Sequence, residues 1–260
     1  MKIINLISGP NKLERILSLI EIRFNLLFFA AKPTKAIYMD DMLSMLDNRQ
    51  DLRMLLQNDE AEKNVEFIRH EFEKQLTNYG HIPLFPVNFN ADKSFALLVY
   101  GIARFLYPGT VIETGIGYGV TSALILLALN KNGKGNLISV DLHPLSDPDG
   151  ALIGIGVPQD LRIRWKQYSG SSRRLLPKLI IESGKISLFV SDSANVFTLQ
   201  RYEFNQVFPK LIPNGVMIFN NVSLKFQEYL KTIEGIEFLS IWQSEKFSCV
   251  TIVVFKNPLV

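Results

Sequence analysis

The sequence predicts an α/β fold: a mostly parallel seven-stranded sheet with helices on both faces, ending in an antiparallel hairpin and preceded by a helical extension. Three observations carry this. From residue 110 onward, short apolar runs alternate with longer helical patterns, as in strand–helix–strand units. The last two strand-like runs, 237–243 and 247–256, are joined only by Ser244-Glu245-Lys246. That link is too short for a parallel crossover, so the final pair must be antiparallel. Residues 1–90 show no strand pattern and read as a helical N-terminal extension to a domain spanning 91–260.

Composition bounds the rest. At 260 residues and 47% hydrophobic content, the chain holds one good-sized domain plus an extension. The net charge is only +3, and no basic stripe or RNA-binding aromatic motif accompanies it, which argues against a nucleic-acid partner. The single cysteine, Cys249, cannot form an internal disulfide. It lies in an alternating apolar run and fits a core thiol in a reducing, cytoplasmic setting.

The elements follow in order. Residues 12–31 read as a helix whose apolar stretch, ILSLIEIRFNLLFFAA (16–31), is interrupted by Glu21 and Arg23. It is short for a membrane span and lacks the layout of a signal peptide. Two readings stay open: a helix packed on the domain or a partner subunit, or one lying at a membrane surface. Packing is favoured because the charges form no clean basic face. Residues 33–48 read as a connector, 51–79 as one helix, 81–90 as a Pro-punctuated loop, and 93–107 as a helix stopped by Pro108-Gly109. Strands are predicted at 110–114, 136–141, 163–168, 186–191 and 216–220. Helices are predicted at 120–130, 173–182 and 199–211, with a short one near 224–233. The insertion 144–159, rich in Gly, Asp and Pro, reads as a mobile cover over a ligand or as a plain solvated loop.

The segment VIETGIGYGVTSALILLAL (111–129) carries the most chemistry. Glu113, Gly115, Gly117 and Gly119 fall at a strand-to-helix turn, where the backbone can approach a ligand and the helix offers unpaired N–H groups. A dinucleotide fingerprint needs glycine at position 120, where this chain has Val120. An acid two residues before the first glycine would repel a pyrophosphate. It suits a cationic ligand portion, such as the amino group and sulfonium of S-adenosyl-L-methionine.

Together with this segment, LISVDLHP, IGIGVP, LRIRWKQYSGSSRRLLPKL, FVSDSANVFTLQRYEF and PKLIPNGVMIFNNV resemble the successive motifs of bacterial class I S-adenosylmethionine-dependent methyltransferases of the O-methyltransferase-like kind. The resemblance covers roughly residues 89–222, and its specificity lies in the order of the motifs. It implies a Rossmann-like fold of five parallel strands followed by an antiparallel hairpin. It also implies that Glu113, Gly115, Gly117 and Gly119 form the methionine side of the cofactor site and that Asp141 accepts hydrogen bonds from the ribose hydroxyls. Taken alone, an Asp ending a strand is also a common turn former. Gly170-Ser171-Ser172 matches a turn near the adenine, although Ser171 and Ser172 could equally cap the helix that follows.

Asp192-Ser193 matches the motif closing the fourth strand. In relatives a His follows two residues later and paired acids end the fifth strand, a set that can hold a divalent metal and lower the pKa of an acceptor hydroxyl. This chain has Asn195, Asn220 and Asn221 there, so no tightly bound metal is expected. Asp192 is then the first candidate for a general base, with holding its turn as the alternative role. His143 is the second candidate; His81 lies in the Pro-rich loop and His70 in a charged helix. The resemblance implies an oxygen of a small molecule or sugar as acceptor, and a homo-oligomer is compatible with it. Two other readings stay in view: a relative that binds the cofactor or a partner without catalysis, and an NAD-dependent oxidoreductase, disfavoured by Val120 and the final hairpin.

Overall fold

The computed structural model describes residues 11–29, 36–45, 50–79, 91–143, 150–243, 245–246 and 249–257. The N-terminal part is helical: α1 (Lys12–Phe28), α2 (Met39–Met45), α3 (Gln50–Leu56), α4 (Asp59–Tyr79) and α5 (Lys93–Leu106). The alternating part follows as β1 (Thr110–Thr114), α6 (Val120–Asn132), β2 (Asn136–Asp141), β3 (Trp165–Ser169), α7 (Ser172–Ser183), β4 (Ile186–Ser191), α8 (Phe197–Val207) and β5 (Leu211–Phe219). The chain closes with α9 (Leu224–Leu230), β6 (Ile236–Trp242) and β7 (Val250–Lys256).

The seven strands form one sheet in the order β3-β2-β1-β4-β5-β7-β6. β1 to β5 are parallel neighbours, and β7 runs antiparallel between β5 and β6. The expected mostly parallel sheet with an antiparallel terminal hairpin is therefore what forms. The interior strands β1, β4 and β7 are covered on both faces and almost wholly buried, which is why they read as continuous apolar runs. The edge strand β3, WKQYS, keeps its exposed positions polar.

Two apolar layers flank the sheet. On one face α5 and α6 pack against Leu188, Val190, Val216 and Ile218, and α3 and α4 add Leu52, Leu56, Val65, Ile68 and Phe72 to that same cluster. On the other, Leu176, Ile180, Phe204 and Phe226 of α7, α8 and α9 meet Ile112, Phe189 and Met217. The helical extension thus shares the core of the α/β part. α5 starts cleanly because Asp92 accepts the Ser94 and Phe95 N–H groups at 2.8 and 3.4 Å, an acid N-cap.

Four elements differ from their sequence reading. The helix expected over 51–79 is two, because the Asn58 side chain accepts the Glu60 N–H at 2.8 Å and starts α4 afresh. Residues Gln159–Arg164 form a 3-10 helix, so β3 begins at Trp165. α8 ends at Val207 because Pro209 sits in a 3-10 turn, Phe208–Lys210, and β5 starts at Leu211. In the connector, Ile37 pairs in parallel with Ile241 beside β6, and α2 follows. Among the described residues, no helix is long and apolar enough to cross a membrane.

Candidate functional site

The carboxyl ends of β1, β2, β3 and β4 open onto a cavity of about 710 Å³, where open α/β sheets hold ligands. Its floor is the turn after β1. Gly115, Gly117 and Gly119 have φ of +87°, +52° and +90°, a left-handed run that side chains resist. The three glycines do different work. A Cβ on Gly115 would collide with the Asp192 carbonyl, so this glycine lets the β1 and β4 ends touch. A Cβ on Gly117 would meet nothing within 4 Å, because this residue faces the cavity. Gly119 faces away: a Cβ there would lie 2.7 Å from Val157 and 2.8 Å from the Gly154 Cα. It is absent from the cavity wall, so its expected ligand contact is corrected to packing at the α6 N-cap.

Gly119 packs against the described half of the 144–159 insertion. The Gly154 N–H donates to the Gly117 carbonyl at 2.9 Å, and the Gly156 N–H to the Tyr118 carbonyl at 2.8 Å. These residues buttress the outside of the glycine turn and do not line the cavity. The other half, 144–149, lies outside the described residues, as does His81.

Glu113 is a second correction. Strand alternation turns its side chain away from the cavity, toward α6 and β2. It is fully buried, and its Oε2 accepts the hydroxyls of Ser122 and Ser139, each at 2.6 Å. Burial pushes its pKa from the ordinary 4.5 up to about 8, so at neutral pH it is a neutral acid with no charge to offer a cation. Asp141 does reach the site. Its Oδ2 accepts the Ile116 and Gly117 N–H groups, both at 2.7 Å, and the residue lines the cavity. Burial raises its pKa against the pull of those N–H groups.

Asp192 stands at the wall beside the glycine turn. Its Oδ1 accepts the Asn220 amide N–H at 2.6 Å and its Oδ2 the Thr121 hydroxyl at 3.3 Å. Burial pushes its pKa from the ordinary 3.8 up to about 6, against the lowering effects of the Asn220 bond and Lys246. Asn220 cannot offer the same carboxylate its oxygen, because Oδ1 accepts from the Gln243 amide. Asn195 lines the cavity with a buried Oδ1 that has no hydrogen-bond partner. Among the described residues, no group of three or more His, Cys, Asp or Glu could hold a metal ion. The donor set at this end therefore does not fit a divalent cation, which favours several carboxylates.

His143 is the third correction. Its imidazole lies over Gly150, where a Cβ would fall within 2.6 Å of two ring nitrogens, and it does not line the cavity. Ser171 and Ser172 both line the cavity. Ser171 occupies the N-cap position of α7 without making a side-chain cap bond, and Ser172 bonds to the buried Glu203.

The remaining wall was not read from the sequence. Glu14, Leu17, Ser18, Glu21 and Ile22 of α1 roof the cavity. Glu14 accepts the Ser171 N–H at 2.5 Å and pairs with Arg174; Glu21 accepts Arg173 Nε at 3.0 Å and the Thr198 hydroxyl. Burial works to raise the Glu14 pKa, but the bonds from Ser171 and Arg174 outweigh it and hold the group below its ordinary range. Asn25 exchanges two bonds with Thr198, at 2.8 and 3.1 Å. The signal was present: Glu14, Ser18, Glu21 and Asn25 form a polar stripe at helical spacing in a helix rich in Leu, Ile and Phe.

Known proteins carry this geometry. Residues 112–222, from within β1 to just past β5, match the family model described as a methyltransferase domain. No curated protein matches the chain. Solved structures do match over most of their length. The O-methyltransferase TomG from Streptomyces achromogenes, involved in tomaymycin synthesis and solved with SAM, is 15% identical over 85% of this chain and 100% of its own, with a TM-score of 0.54. The Bacillus cereus O-methyltransferase, solved with SAH, gives 12%, 83%, 97% and 0.53. The SAH-bound methyltransferase PaMTH1 from Podospora anserina gives 15%, 86%, 100% and 0.54. At such identities the likeness is one of fold, the Rossmann-like fold of class I methyltransferases.

Proposed function

We propose that the cavity binds S-adenosyl-L-methionine and that the chain transfers its methyl group to an oxygen of a small molecule or sugar, without a tightly bound metal. The observation carrying this reading is the floor of the cavity. Gly117 faces it with open space where a side chain would stand, and Asp141 holds that backbone from the end of β2. The solved neighbours TomG, the Bacillus cereus enzyme and PaMTH1 hold SAM or SAH, which supports the same cofactor here.

The residues present fit that group. Gly115 to Gly117 would receive its methionine end, Asp141 would accept from ribose hydroxyls, and Gly170, Ser171 and Ser172 would border the adenine. When bound, the cofactor supplies a methyl group on a positively charged sulfur, open to in-line displacement. Asp192 lies where it can orient an acceptor hydroxyl and take its proton. With its pKa near 6, it is ionised at neutral pH and able to act as a base. Thr121 and Asn220 fix its two oxygens. Asn195 can accept one further hydrogen bond from an acceptor.

A second reading keeps cofactor binding and drops transfer. It rests on the amides at 195, 220 and 221, of which Asn220 is committed to Asp192 and Gln243. Isothermal titration with S-adenosylmethionine and S-adenosylhomocysteine tests the shared part: micromolar binding supports it, and none sinks both readings. Turnover of any hydroxylated acceptor would exclude the second. The setting in this reading is cytoplasmic, on the ground of one free thiol. The exposed apolar side chains of α1 favour a contact with a second subunit or a membrane surface.

A further inference from the structure

The helix roofing the cavity is built inside out. Glu14, Ser18, Glu21 and Asn25 face the protein, while Leu13, Ile20, Phe24 and Leu27 are 65%, 61%, 46% and 75% exposed. Its only buried side chains are Arg15 and Asn25. Packed helices elsewhere in this chain are anchored by buried apolar side chains; this one is held by polar ties.

We propose that α1 is a movable roof that forms part of the ligand site and closes over bound ligand, latched at the N-termini of α7 and α8. The inference rests on the cofactor reading above and adds Glu14, Leu17, Ser18, Glu21 and Ile22 to the site. The latches have a common design. Neither α7 nor α8 has a side-chain cap from its own N-cap residue, Ser171 or Val196. The roof supplies an acceptor at each start: Glu14 takes the N–H of Ser171, the α7 N-cap residue, and Asn25 the N–H of Thr198 in the first turn of α8. Arg174 and Arg173, in the first turn of α7, add an ion pair to each carboxylate, Glu14 and Glu21.

Such ties release at small cost. Both arginine side chains are more than two-fifths exposed, against 17% and 18% for Glu14 and Glu21; once the roof lifts, both partners and the freed N–H groups at the helix starts are satisfied by water. The apolar surface exposed when the roof lifts is that of the half-buried Ile16 and Ile22, with Phe29 at the C-cap left on Phe197 as the pivot, so opening belongs to the lower-free-energy motions of the chain. Closure puts Leu17, Ser18 and Ile22 against whatever fills the cavity. A bound ligand gains those contacts only in the closed state and therefore shifts the population toward it.

The test uses the full chain and S-adenosylhomocysteine as probe. Hydrogen exchange should show α1 amides exchanging faster than those of α6 in the free protein and gaining protection when the probe binds. In stopped-flow competition, the double variant Glu14→Gln with Glu21→Gln should release the probe about fivefold faster than wild type, while raised salt speeds release from wild type but not from the double variant. Asn25→Ala, which removes an uncharged tie, should speed release without altering the salt response. Probe binding with no change in α1 exchange, or release indifferent to both variants, would overturn the roof and leave the cofactor assignment standing. No calorimetric binding by wild type would overturn the cofactor assignment itself.

Discussion

α6 and α1 are both rich in apolar side chains, and they end in opposite situations. α6 follows the glycine turn and is buried almost all round, with Val120, Ala123, Leu124, Ile125, Leu126, Ala128 and Leu129 in the core. α1 keeps most of its Leu, Ile and Phe side chains in solvent and turns Glu14, Arg15, Ser18, Glu21 and Asn25 to the protein. The difference teaches that apolar composition sets a demand for burial but not the direction in which it is met. α6 lies between two helices and a sheet that can use its whole circumference. α1 lies over a cavity rimmed by helix N-termini and arginines, so its polar stripe has the better partners there.

Several substitutions would break or sharpen that contrast. The largest effect is expected where α6 begins: Gly117→Arg should abolish S-adenosylhomocysteine binding in calorimetry while circular dichroism stays native. Unchanged affinity would remove the glycine turn from the site. Next, Leu124→Ala in α6 should cost about 2–5 kcal/mol in urea unfolding, since a fully buried leucine leaves a cavity.

Glu113 gives a pH signature of the buried side. Its proton is kept in the native state up to about pH 8, whereas the unfolded chain loses it near the ordinary carboxylate pKa. Between those two values the native state binds the extra proton, so stability falls as pH rises and levels off above pH 8. Glu113→Gln should remove that slope, on the order of a few kcal/mol across the window. Parallel stability curves for variant and wild type from pH 5 to 8 would contradict it.

Asp141→Ala should weaken cofactor binding by about 1–3 kcal/mol, because the Ile116 and Gly117 N–H groups lose their acceptor and the ribose would lose its partner. At the small end, Leu27→Ala on α1 should change monomer stability by no more than about 0.5 kcal/mol. A loss as large as that of Leu124→Ala would mean that this exposed face is covered in solution.

Much of the fold was legible because it rests on local rules. The strand–helix alternation, the 3-residue link before the last strand-like run and the glycines of the β1–α6 turn each constrain the backbone within a few residues. The site was legible in part. Gly115, Gly117, Asp141 and Asp192 line the cavity because their positions at strand ends fix where they point. Glu113 and Gly119 misled because side-chain direction on a strand and the neighbour of a glycine depend on what packs there. For Glu113 that is Ser122 and Ser139; for Gly119, Gly154 and Val157. His143 misled for the same reason, with Gly150 as the neighbour.

The sequence by itself determined the sheet, its antiparallel end and the glycine turn, since periodicity and loop length act along the chain. Only the tertiary structure decided which acids face the cavity, which are neutralised by burial, and that α1 is its roof. The roof depends on groups more than a hundred residues apart, Glu14 with Ser171 and Asn25 with Thr198. A hydrogen bond across that separation leaves a stripe of polar residues in the sequence but no mark of where its partner stands.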